Sequence, residues 1–331
     1  MRTLAQTAFS MLDLVPVRMG GTVAQALHNS LDLAQHVERL GFTRYWLAEH
    51  HNMDGIASSA TAVLIGHVAG GTSRIRVGSG GIMLPNHAPL VVAEAFGTLA
   101  TLYPDRIDLG LGRAPGTDPH TMRALRRDRP ETADDFPRQV LELQALLAPP
   151  VPGQRLIAMP GAGTEVPIWL LGSSLFSAQL AGQMGLPYAF ASHFAPRFLM
   201  DAIRMYREHF RPSAVLSKPY VAMGVPVIAA PDDAEARYLA TTTYQRILAL
   251  VRGERLAQRP PVPSMDGLWN EQERAAVEAF LGVAVVGGPD TVRQGLQRLL
   301  EATQVDEFIF VSDLYDHNHR LRSLEIVQGM K

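Results

Sequence analysis

Four clusters in the sequence combine residue types that suit chemistry at a shared site. Glu49-His50-His51-Asn52 brings a carboxylate and two imidazoles into one tetrapeptide. Histidine titrates near neutral pH and is the usual general acid or base, so proton handling is one reading. Two histidines satisfied by backbone carbonyls is the other. Zinc fits poorly, because adjacent histidines on an extended segment point to opposite sides and a third ligand is not evident. Gly78-Ser79-Gly80-Gly81 places three glycines in a strand-like run, where glycine is costly unless a bend or a closely approaching flat ligand requires it. Gly110-Leu111-Gly112-Arg113 sets an arginine on a glycine-rich turn, either solvated or making a planar bidentate contact with phosphate or carbonyl oxygens. The spacing is not the dinucleotide fingerprint GxGxxG. Gly172-Ser173-Ser174, with Ser177 one turn later, is either an anion site of helix N–H groups and hydroxyls or a plain N-cap. Gly287-Gly288-Pro289 is a rival phosphate cradle, since barrel enzymes often hold phosphate after strands seven and eight. The sequence pattern leaves both open.

These clusters need a scaffold that brings them to one end. Short apolar runs rich in β-branched residues alternate with helical patterns about eight times, which indicates a parallel sheet. The strand segments are 8–15, 44–48, 75–83, 106–111, 167–171, 186–190, 220–229 and 307–312, and eight strands favour a closed (β/α)8 barrel occupying 1–331 as one domain. Each cluster then follows a strand, at the barrel end where sites are built. Between the first two strands, Thr22 and Gln25 form a capping-box pair, Leu33, Val37 and Leu40 recur at helical spacing, and Gly41 supplies a left-handed stop. Pro289 opens the last crossover helix through Val292, Leu296 and Leu299. Segments 149–166 and 253–268, dense in Pro and Gly, read as insertions, either lids or disordered. His317 and His319 sit at a helix start, where their spacing separates the faces and favours capping over metal binding. Trp46 and Trp169 read as strand residues and Trp269 as a loop anchor, none with assigned chemistry.

Composition narrows the chemistry. The 331 residues carry a formal charge of -2 with 47% hydrophobic and 19% charged residues, enough to bury a large core and without the basic block that nucleic acid would need. The absence of cysteine excludes disulfides, thiolate metal sites, Fe–S clusters and cysteine nucleophiles. Asp13 interrupts the region where a signal peptide would be apolar, and no 18-residue apolar run occurs, so a soluble, cytoplasmic protein is expected.

Three segments, in order and at matching intervals, carry a resemblance: Trp46-Leu47-Ala48-Glu49-His50-His51, Gly81-Ile82-Met83-Leu84-Pro85 and Arg106-Ile107-Asp108-Leu109-Gly110-Leu111-Gly112-Arg113. Together they resemble the bacterial luciferase-like flavin monooxygenases, and in particular the branch reading AEHHN at 48–52 and GRAPGTD at 112–118. The resemblance covers nearly the whole chain and is weakest at 149–166 and 253–281. It implies that His50 handles protons near the flavin C4a and N5 atoms, with Glu49 supporting from behind and His51 less defined. It implies a non-prolyl cis peptide at Gly80-Gly81 against the isoalloxazine, an Arg113 contact with the cofactor, and a flavin-phosphate segment at Gly172, Ser173, Ser174 and Ser177. The luciferases' thiol near the flavin is missing, so light emission is not implied.

The function so implied is a monooxygenase that takes reduced FMN from a separate reductase, forms a C4a-peroxyflavin with O2 and oxygenates a small organic substrate. A dehydrogenase using deazaflavin F420 for hydride transfer and a catalytically silent flavin carrier are the alternatives. The resemblance also implies a homodimer through the helices after the second and third strands, which the apolar segment 60–68 permits. Substrate choice is assigned to the loops 114–134 and 253–281, which carry no readable code.

Overall fold

Near-continuous apolar runs suit strands covered on both faces, and the chain uses them so. The structure is a computed structural model that describes residues 2–114, 118–125, 135–254 and 257–331. The central part of the GRAPGTD segment and much of loop 114–134 lie outside the described residues. The strands are β1 (Ala8–Asp13), β2 (Arg44–Leu47), β3 (Arg76–Met83), β4 (Ile107–Gly112), β5 (Ile168–Gly172), β6 (Tyr188–Phe190), β7 (Val221–Ala229), β8 (Val285–Gly287) and β9 (Glu307–Val311). All pairings between them are parallel, in the order β6-β5-β4-β3-β2-β1-β9-β7-β8, and β6 also pairs with β7. That last pairing closes eight strands into a (β/α)8 barrel with helices between strands. The eight expected segments are the eight barrel strands. The unexpected β8 lies outside the ring and pairs only with the far end of β7, Val227 to Ala229.

The helices behave as their caps dictate. In Val23–Arg39 the Thr22 side chain accepts from the Gln25 N–H, and Gly41 takes φ +80, where a side chain would be strained. Pro289–Thr303 starts at its proline. Where they are described, both insertions pack against the barrel. Segment 149–166 packs on the outer helix Pro89–Leu102, where a Cβ on Gly97 would come 2.1 Å from the Gly161 Cα, and Ala158 and Val166 are buried. After residues 255–256, which lie outside the described residues, Gln258 exchanges backbone hydrogen bonds with Val17 and Met19 and donates Nε2 to the Asp313 carbonyl at 2.7 Å. A helix the sequence reading missed, Glu271–Phe280, follows behind an Asn270–Glu273 capping box. The capping role expected of His317 and His319 falls to Asp316, which accepts from the N–H groups of Asn318 and His319 at the start of the helix His317–Gln328, while His317 Nε2 lies 2.7 Å from Asp32 Oδ2. No helix among the described residues is long and apolar enough to cross a membrane.

The barrel interior is layered. At the N-terminal end, Arg44 reaches Asp108 and Glu307 at 2.7 Å each, Trp46 Nε1 donates to Asp108 at 3.2 Å, and the Tyr220 hydroxyl donates to Glu307 at 2.9 Å. Above this charged plug sit Leu12, Trp46, Trp169, Ala189, Ala222, Ile309 and Val311, with the two indoles edge to face at 5.1 Å. The cavity at the C-terminal end has this layer as its floor.

Candidate active site

Strand alternation decides which chemical groups enter the cavity. Along β2 and beyond it, Arg44, Trp46 and Ala48 face the interior, so His50 continues that row and lines the cavity, whereas Glu49 and His51 turn away from it. The cavity, about 490 Å³, is lined by His50, Gly80, Gly81, Arg113, Gly172, Ser173, Ser174 and Ser177 among others. Every sequence-predicted site residue except Glu49 therefore meets in one cavity.

Glu49 is the buried centre of a different construction. Its Oε1 accepts from His87 Nε2 at 2.7 Å and His51 Nε2 at 2.9 Å, and its Oε2 accepts from the Met83 N–H at 3.0 Å. A carboxylate can only accept, so both imidazoles present Nε2–H to it. Burial alone would raise the carboxyl pKa, but the two histidines and the Met83 N–H outweigh it and bring it to about 2. His87 is the third potential metal ligand that the sequence did not reveal. At these hydrogen-bond separations, with Oε2 already taken, the trio forms a strut: it ties the end of β2 to the turn after β3, on either side of His50. Asn52 extends the tie, donating to Asp118 at 3.0 Å and thereby joining the AEHHN and GRAPGTD segments.

The glycines have two separate reasons. The Gly80–Gly81 peptide is cis. A Cβ on Gly81 would meet the Gly110 carbonyl at 2.7 Å, so this position serves strand approach, while Gly80 borders the cavity beside Leu12 and Trp46. A Cβ on Gly172 would lie 2.1 Å from Ser177 Oγ, which in turn donates to the Ser174 carbonyl at 3.0 Å and fixes that turn.

The two candidate anion cradles differ in what already fills them. Ser174 is the N-cap of the helix Leu175–Met184, yet its side chain makes no capping bond, so the first-turn N–H groups stay available to an anion. Gly288, by contrast, donates its N–H to Asp233 Oδ1 at 2.7 Å, and Thr291 donates to the other oxygen at 3.1 Å. A protein carboxylate already fills that rival. Arg113 flanks the first candidate cradle with its guanidinium 4.3 Å above the ring of Phe176, two residues past Ser174 in the first turn of the helix. Phe176 was missed from sequence; an aromatic two residues into the candidate anion-binding helix, with an arginine at the same barrel mouth, is the signal that could have found it.

Comparison with known proteins shows the chain's family. The family model of luciferase-like monooxygenases matches residues 7–307. A luciferase-like monooxygenase of Escherichia coli (strain K12) is 50% identical over 98% of this chain and 97% of its own. The YvbT protein of Bacillus subtilis (strain 168) is 54% identical over 97% and 96%. The solved structure of apo-MsnO8 superposes with a TM-score of 0.88 at 36% identity, covering 98% of both chains. The chain belongs to the luciferase-like monooxygenase family. More distant structures of the same fold include an FMN-bound monooxygenase and F420-dependent enzymes.

Proposed function

We propose that the protein is an FMN-dependent monooxygenase that receives reduced FMN from a separate reductase and oxygenates a small organic substrate. The observation that carries this reading is the uncapped helix start at Ser173 and Ser174, flanked by Arg113, opening into the same cavity as His50. These groups fit a flavin phosphate, and the missing side chain at Gly172 leaves room for Ser177 in the first turn of that helix. Bound there, reduced flavin supplies the two electrons that let O2 deliver one oxygen atom to substrate and the other to water. The protein's own residues bind, orient and move protons. Arg113 and the helix N–H groups neutralise the phosphate, Gly80 and Gly81 offer a wall free of side chains, and His50 exchanges a proton at the cavity wall. Glu49 acts through the strut, holding the two segments that flank His50.

F420-dependent hydride transfer uses the same fold, and the phosphate cradle would serve either cofactor. A silent flavin carrier would have no use for an imidazole at the cavity wall. Replacing His50 separates these roles: His50→Ala leaves the dissociation constant for reduced FMN within about threefold but lowers turnover by about two to four orders of magnitude, the usual contribution of a positioned acid or base. Stopped-flow mixing of the reduced complex with O2 reads both, and loss of binding with wild-type turnover at saturation would make His50 a cofactor-positioning residue instead.

A homodimer through the helices Thr61–Gly70 and Pro89–Leu102 belongs to the same proposal. Val63, Val91 and Leu102 stand 72%, 57% and 63% exposed on these two helices, an apolar face that a second copy would cover. A monomer in sedimentation at all concentrations would refute it.

A further inference from the structure

His193 has no part in the reading above, yet it lines the same cavity. It follows β6 by three residues, and its position is built by two neighbours. Its ring centroid lies 4.5 Å from that of Phe194, and on the other side a Cβ on Gly224 would come 2.3 Å from its Nδ1, so the ring lies where only glycine leaves room. The adjacent Ser192 ties the loop to the same strand, donating to the Gly224 carbonyl at 2.6 Å. The imidazole thus has a prepared slot against β7.

Its hydrogen-bonding capacity is unused. His193 Nδ1 is buried without a partner. Burial first, then the nearby Arg246 and His50, hold the ring neutral with a pKa of about 4, and Asp313 offsets this only in part. A neutral imidazole carries one donor and one acceptor. Around it the cavity wall is apolar, with Leu12, Leu14, Phe190, Phe194 and Ile309. Nδ1 is packed against Gly224 beyond a ligand's reach, so the nitrogen left to the cavity is Nε2, which has no hydrogen-bond partner among the described residues and can take one from a ligand atom.

We propose that His193 is a substrate-recognition subsite that hydrogen-bonds one neutral oxygen-bearing group of an otherwise apolar substrate. This rests on the reading of the cavity as the substrate site, but not on the identity of the cofactor. A neutral group fits better than a carboxylate because Arg246, the cation in range of His193, is already paired with Asp313 at 2.5 Å. An anion brought into the apolar wall would lack a counter-charge.

The test uses three probes of similar shape, cyclohexyl methyl ketone, isopropylcyclohexane and cyclohexanecarboxylate, on the wild type, His193→Phe and His193→Gln. Calorimetry gives the dissociation constants, and the histidine Cε1–H resonance that disappears in His193→Gln reports contact directly. The expected result is that wild type binds the ketone about tenfold more tightly than the hydrocarbon, a margin typical of one net hydrogen bond. His193→Phe loses that margin, His193→Gln keeps part of it, and FMN affinity stays within about threefold in all three proteins. The ketone moves the His193 resonance and the hydrocarbon does not. A margin that survives in His193→Phe, an unmoved resonance, or tighter binding of the carboxylate than of the ketone overturns the proposal. Failure of wild type to bind FMN while the His193-dependent margin persists refutes the flavin reading and leaves this one standing.

Discussion

Arg113→Ala is the perturbation whose outcome the geometry fixes most closely. The guanidinium is held over Phe176 beside a helix start whose N–H groups have no side-chain cap. A hydrogen bond from a charged donor contributes about 1.5 to 3 kcal/mol, so its removal should weaken FMN binding about ten- to a hundredfold. Phe176 acts only by holding Arg113. A cation over a partly exposed ring contributes about 0.5 to 1 kcal/mol, so Phe176→Leu alone should cost about two- to fivefold. Because the two share one route, the double variant should bind no more weakly than Arg113→Ala. Isothermal titration with FMN and with riboflavin supplies the readout. Riboflavin lacks the phosphate, so its affinity should be nearly indifferent to Arg113→Ala. If Arg113→Ala binds FMN within about threefold of wild type, or the two substitutions add in full, the assignment of Arg113 to the phosphate cradle is wrong.

Two further predictions concern groups whose pKa the fold has moved. Glu49→Gln keeps the shape of the strut but replaces one accepting oxygen by a donor facing the His51, His87 and Met83 donors, so it should destabilise the protein by about 2 to 3 kcal/mol in urea unfolding; a change under about 0.5 kcal/mol would contradict the strut. His193 titrates at about 4 in the fold against 6.5 for an ordinary histidine, so as pH falls the unfolded chain takes up the proton first. Its contribution is intact above the ordinary value and declines below it, by up to about 2 kcal/mol near pH ~5. His193→Gln should flatten the wild-type slope between pH ~8 and ~5, and equal slopes in the two proteins would contradict the neutral, buried state of this ring.

Local signals carried much of this architecture. The eight barrel strands were legible because each is a short apolar run bounded by turn residues, and the inward position of His50 follows from alternation along β2. What escaped depends on contacts between distant segments. Arg44, Asp108 and Glu307 lie on three separate strands, and only barrel closure brings them into one plug. Glu49 reads locally as a companion of His50, and its true partners include His87, 38 residues along the chain. The glycine pair at 287–288 looked as suitable for phosphate as Ser173 and Ser174, until the fold placed Asp233 against it from another helix. His193 stands in a segment with no pattern of its own, and its slot exists because Gly224 lies on the next strand.

The central claim is that this cavity holds reduced FMN. Titrating the purified protein anaerobically with reduced FMN, and separately with oxidised FMN and with F420, ranks the cofactors directly. Reduced FMN is expected to bind at least about tenfold more tightly than F420, a difference of roughly 1.4 kcal/mol, and Arg113→Ala to weaken it about ten- to a hundredfold. Tighter binding of F420 than of reduced FMN, or no measurable binding of reduced FMN, would contradict the claim.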